Sequence, residues 1–86
     1  MEKDLTPVTP VTTVYTGRKY REEKGYTVRE LAQKTFLAPS TISNWENHRK
    51  VPNLDCLVII SRALGVEPNI LYEIEETEVF KARRNN

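Results

Sequence analysis

The chain has one cysteine, Cys56, so an internal disulfide and a cysteine-based metal site are both excluded. Cys56 stands one residue before Leu57 and four before Ile60, the setting of a small buried hydrophobe rather than a reactive thiol. The single histidine, His48, has no thiols or carboxylates at ligand spacing, and no metal or cofactor is assigned. A glycine-rich phosphate loop is missing, as is any Ser, His and Asp set placed by a recognisable motif. No catalytic residue is named, and the expectation is a protein that is not an enzyme. The longest aliphatic run, residues 57–60, is far too short to cross a bilayer. The first residues lack the basic-then-apolar pattern of a secretory signal, so a cytoplasmic address without membrane contact is expected.

What remains is a composition of 38% hydrophobic and 29% charged residues with three glycines, the profile of a globular domain rather than a disordered tail. Eighty-six residues support one modest core, so function must sit on the outer surface. The net charge of +1 hides an asymmetry. Residues 16–53 hold eight Lys and Arg against four acids, whereas residues 54–78 hold one Arg against six acids. One end should attract phosphate and the other repel it, although the same charges would also serve solubility alone.

Pro7 and Pro10, set among β-branched residues, cannot continue a helix, so residues 1–15 read as an extended arm or edge strand. Lys3 is answered by Glu2 and Asp4, which favours a leader or a dimer-contacting strand over a phosphate grip. Five helices follow in residues 16–72. The first spans residues 17–24 and closes at Gly25. The second starts at Thr27, which forms a capping box with Glu30, and runs to about Thr35. Pro39 opens the third, where Ile42 and Trp45 turn inward at a spacing of three. Asn53 caps the fourth, which carries Leu54, Leu57, Ile60, Ala63 and Leu64 before Gly65 stops it. Pro68 opens a fifth containing Ile70 and Leu71. No strand is expected within the domain, and helix and strand stay open for the tail, residues 73–86, a candidate dimerisation segment.

Function concentrates in residues 27–47. Leu31, Ala32, Leu37, Ile42 and Trp45 must share one side, and small Ala32 lets two helices cross closely after a short turn. The third helix then exposes Ser40, Thr41, Ser43, Asn44 and Asn47, a face of short hydrogen-bonding side chains without an acid. Such a face can approach base edges and phosphates, though it would also suit an ordinary solvated helix. Trp45 reads as core rather than a stacking platform, and Tyr20, Tyr26 and Tyr72 as half-buried core.

The order Tyr-Arg-Glu-Glu-Lys-Gly-Tyr-Thr at 20–27, Leu-Ala-Gln-Lys-Thr at 31–35, Ser-Thr-Ile-Ser-Asn-Trp-Glu-Asn at 40–47, Pro52 and Ala-Leu-Gly-Val at 63–66 resembles the Cro and phage-repressor (Xre-type) helix-turn-helix regulators over residues 17–72. The resemblance implies an all-α, compact five-helix, lambda-repressor-like DNA-binding domain. It implies a transcriptional repressor of a phage or mobile element, working in a bacterial cell or phage-infected bacterium and bound to a double-stranded operator as a homodimer. Base reading falls to Pro39, Ser40, Thr41 and Asn44, with Asn44 suited to a bidentate contact to adenine. Pro39 stands where relatives often carry a glutamine. Phosphate contacts fall to Thr27, Val28, Ser43, Asn47, Arg49 and Lys50. Arg21 and Glu46 are implied as a structural pair. Phe36 and His48 occupy positions where a left-handed glycine is usual, and Gly17 replaces an aliphatic core residue, a gap that Val14, Tyr15 or the arm would fill. The rival expectation keeps the fold and makes the chain a protein-interaction module, an antirepressor, modulator or antitoxin that acts on another repressor.

Overall fold

The computed structural model describes residues 2–76. Four α-helices lie between two short strands: β1 (Val11–Tyr15), α1 (Gly17–Glu23), α2 (Val28–Thr35), α3 (Pro39–Glu46), α4 (Leu54–Leu64), a 3-10 turn (Pro68–Ile70) and β2 (Tyr72–Glu76).

Local chemistry sets the helix ends. The Thr27 hydroxyl accepts the Glu30 N–H at 3.1 Å while the Glu30 carboxylate accepts the Thr27 N–H at 3.0 Å, which closes the capping box. Asn53 accepts the Cys56 N–H at 2.9 Å and so starts α4. Gly65, at φ 68°, ends it. The apolar faces meet in one core built from Tyr15, Leu31, Ala32, Ile42, Trp45, Leu57, Ile60, Leu64 and Leu71. Ala32 is buried, and α2 and α3 pack closely over it. Tyr20, Tyr26, Tyr72 and Cys56 are half-buried against that core.

The fold is therefore not all-α with five helices. Pro68 does open a helical turn, but that turn is only three residues of 3-10 geometry, Pro68–Ile70, before the chain is captured by a strand partner. Thr16 N–H donates to the Leu71 carbonyl at 2.8 Å, and the Thr16 hydroxyl donates to the Ile70 carbonyl at 2.9 Å. From there β2 pairs antiparallel with β1, Tyr15 opposite Tyr72, Thr13 opposite Ile74 and Val11 opposite Glu76. β-branched Val-Thr-Thr-Val followed by Tyr favours the pleated conformation, and a five-residue ladder satisfies backbone groups that a short fifth helix would leave open. The end of the arm and the start of the tail are thereby tied to the helical body. The expectations for residues 77–86 lie outside the described residues.

Candidate nucleic-acid interface

The second and third helices are joined by a turn whose backbone is left-handed at Phe36, φ 58° and ψ 27°. The Leu37 N–H reaches back to the Ala32 carbonyl at 3.1 Å, so the turn keeps the conformation usually given to glycine, with a phenylalanine in it. Phe36 is 97% exposed, so no packing of its side chain offsets that strain. His48, at φ 60°, does the same after α3. Its N–H donates to the Trp45 carbonyl at 3.1 Å, and the Arg49 N–H donates to the Asn44 carbonyl at 2.9 Å. This wraps the loop tightly over the end of α3 and leaves Arg49 and Lys50 exposed beside it.

Three attachments fix α3. Ile42 and Trp45 are buried in the core. Tyr15 lies with its ring centroid 5.9 Å from that of Trp45, tilted by 56°. Glu46 receives a two-pronged ion pair, Arg21 Nε to Oε2 at 2.7 Å and Nη2 to Oε1 at 2.9 Å, with side chains only 10% and 6% exposed. The third donor of Arg21, Nη1, reaches the Tyr26 carbonyl at 2.7 Å. The Glu46 carboxylate raises the guanidinium's pKa, against the opposing effect of burial. One pair thus ties α1, the turn before α2 and the last residue of α3 together, as the resemblance implied.

With those residues turned inward, the opposite side of α3 is open. Pro39, Ser40 and Asn47 are exposed, and Thr41, Ser43 and Asn44 are half-exposed. Ser40, Thr41 and Asn44 fall on neighbouring turns of one face. No side chain caps the start of α3. Thr27 is exposed at the start of α2, but its hydroxyl oxygen already holds the Glu30 N–H. The same bonds to Thr27, backbone first, hold the Glu30 carboxyl below the usual carboxylate range. Val28 has its side chain half-buried against the core, so it can meet an anion at the helix start only through its backbone N–H. Sequence reasoning passes over Arg29, which is exposed in the same first turn. The signal available was its charge in the first turn of α2, across the helix from Leu31.

The gap at Gly17 is filled by Tyr15. A Cβ built on Gly17 would overlap the Tyr15 hydroxyl and ring. The hydroxyl is buried and makes no hydrogen bond among the described residues. Burial first, and the nearby Glu46 charge second, push its pKa above the usual tyrosine value while Arg21 opposes them. Among the described residues there is no group of three or more His, Cys, Asp or Glu side chains placed to hold a metal ion, and no helix long and apolar enough to cross a membrane.

Residues 18–71 match the helix-turn-helix family. The SinR regulator of Bacillus licheniformis is 38% identical over 63 residues, an alignment that covers 71% of this chain and 57% of that protein. The chain thus spans just over half of that relative's length. A solved protein from Bacteroides fragilis, described as a candidate DNA-binding protein, is 31% identical with a TM-score of 0.68 and covers 72% of this chain and 100% of its own. The solved complex of SinR, a master regulator of biofilm formation, with DNA gives 36% identity and a TM-score of 0.61, covering 63% of this chain and 87% of that one. The family match covers more than half of the chain, and the chain belongs to the Xre-type helix-turn-helix family.

Proposed function

We propose that the chain is a sequence-specific regulator of transcription, a repressor, that binds double-stranded DNA as a homodimer with α3 in the major groove. The observation that carries the reading is the division of α3. Ile42, Trp45 and Glu46 are held by the body, while a polar, acid-free face stays open beside the Arg49–Lys50 loop. In this reading Pro39, Ser40, Thr41 and Asn44 meet base edges, with Pro39 offering apolar contact to a thymine methyl. Thr27, the Val28 N–H, Ser43, Asn47, Arg49 and Lys50 meet phosphate and set the register. A relative solved on DNA supports it. The site performs no reaction, uses no cofactor or metal, and works in the cytoplasm of a bacterial cell. A two-fold dimer would read a palindrome with half-sites about 34 Å apart.

The test is selection of bound sites from random duplex DNA, repeated over a salt series with two variants. Asn44→Ala should relax preference at one base position, at roughly 1 to 3 kcal/mol of discrimination. Arg49→Ala should weaken every sequence alike and lower the salt slope by about one. A uniform loss with Asn44→Ala would overturn its base-reading role. Binding with little salt dependence and no recovered palindrome would transfer the function to a protein partner.

A further inference from the structure

The chain carries two apolar surfaces with no partner on the monomer, and they match each other. The first is on the arm. Residues 5–17 contain no charged side chain, and residues 6–11 read Thr-Pro-Val-Thr-Pro-Val. Proline holds its own backbone near φ −65° and pushes the residue before it to extended geometry. Extended proline-containing backbone turns once in about three residues, which aligns Leu5, Val8 and Val11 on one side. Leu5 and Val8 are 82% and 88% exposed.

The second surface is a cleft of about 320 Å³ between the sheet and the start of α4, lined by Thr13, Val51, Pro52, Leu54, Leu57 and Tyr72. None of the six is charged. Leu54 at its mouth is 71% exposed. Ile74, 61% exposed, lies on the same face of the sheet, because it pairs with Thr13 and stands two residues from Tyr72.

The arm cannot easily reach the cleft of its own chain. β1 runs toward the core from Val11 to Tyr15, so the arm leaves the sheet at the outer end, where Val11 faces Glu76. Pro7 and Pro10 hold Thr6 and Thr9 extended, and Leu5 and Val8 stand in solvent, so the arm runs on away from the cleft. A second copy has no such restriction. We propose that two copies exchange arms, each laying its Leu5–Val8–Val11 stripe into the Leu54 cleft of the other. The exchange is isologous and closes after two chains. It names the contact surface of the homodimer proposed above and rests on that dimeric reading alone, not on base reading.

Sedimentation equilibrium of the full chain without DNA tests it. Leu5 and Val8 stand in solvent on the monomer, so Leu5→Ser with Val8→Ser leaves the melting of the isolated fold in place. The double substitution should weaken dimerisation by about a hundredfold or more, since four aliphatic side chains per dimer stay in water. In a Cys56→Ala background, chains with Val8→Cys mixed with chains carrying Leu54→Cys should form a disulfide-linked pair, preferred over like-with-like products. Unchanged association of the arm variant would overturn the exchange and leave a dimer built elsewhere. A disulfide formed inside a dilute single chain carrying both cysteines would assign the cleft to its own arm. A wild-type chain that stays monomeric, alone and on DNA, would overturn the exchange and the dimeric reading together.

Discussion

Removing either partner of the Arg21–Glu46 pair should unfold the domain far more readily than removal of an exposed ion pair, and in an order that the geometry dictates. Glu46→Ala leaves a guanidinium that was 10% exposed with the Tyr26 carbonyl as its hydrogen-bond acceptor and only the solvent-exposed Glu22 carboxylate, 3.9 Å from Nη2, as a counter-charge. A stranded buried charge of that kind costs about 3 to 5 kcal/mol. Arg21→Ala strands the Glu46 carboxylate and also deprives the Tyr26 carbonyl of its donor, which adds about 1 kcal/mol. The arginine variant should therefore be the less stable of the two. In the double variant no charge is left behind, so its loss should fall short of the summed single losses by about 2 kcal/mol or more. For a domain of this size a 3 kcal/mol loss lowers the melting temperature by roughly 12 °C or more. Urea unfolding at low temperature, followed by fluorescence of the single tryptophan, Trp45, gives all four corners of the cycle. The reporter is well placed, since Trp45 is buried and adjoins Glu46. Single losses below about 1 kcal/mol that simply add would refute the reasoning, because that is the behaviour of a solvated pair. Arg21→Lys offers a further check: it keeps the charge but cannot make the two-pronged contact, and should recover only part of the loss.

The helix-turn-helix was legible in the sequence because its signals are local. The Thr27–Glu30 box, Pro39 at the start of α3 and the Asn53 cap each act within three residues of a helix start, and all three sit where expected. The inward positions of Ile42 and Trp45 follow from helical period alone, and the open face of Ser40, Thr41 and Asn44 is its complement. An edge strand was one reading of residues 1–15, but its pairing was not legible, since the partners are far apart: the Thr16 hydroxyl bonds a carbonyl 54 residues away. A lone Pro68 signalled a helix start correctly, but nothing nearby said that a strand partner would end that helix after three residues. At Phe36 and His48 position in the motif points to a left-handed residue against their own preference; at Phe36 a different turn stays open in the sequence, and the structure has the left-handed backbone at both. At Gly17 the sequence marked a missing side chain without deciding among Val14, Tyr15 and the arm.

The filling of that gap by Tyr15 sets two more outcomes. Gly17→Ala gains up to about 1 kcal/mol of helix propensity but places a methyl inside the tyrosine ring, and overpacking of this kind costs roughly 1 to 3 kcal/mol or more. Urea unfolding should show net destabilisation, and a stabilised variant would mean that Tyr15 is not seated there. Tyr15→Phe removes a buried hydroxyl that lacks a partner, so at neutral pH the variant should match the wild type or exceed it by about 1 kcal/mol. The alkaline limb separates them further. Burial raises the folded-state pKa of Tyr15 above its unfolded value, so from about pH 10 the unfolded chain releases a proton that the folded chain keeps. The free energy of unfolding then falls as pH rises, and the wild type should lose up to about 1.4 kcal/mol per pH unit from this group until the folded pKa is reached. The phenylalanine variant lacks this contribution, so its advantage should widen above pH 10. A stability difference that stays flat between about pH 8 and pH 11 would show that the hydroxyl ionises as readily in the folded chain as in the unfolded one, and Tyr15 would then have no claim to the space beside Gly17.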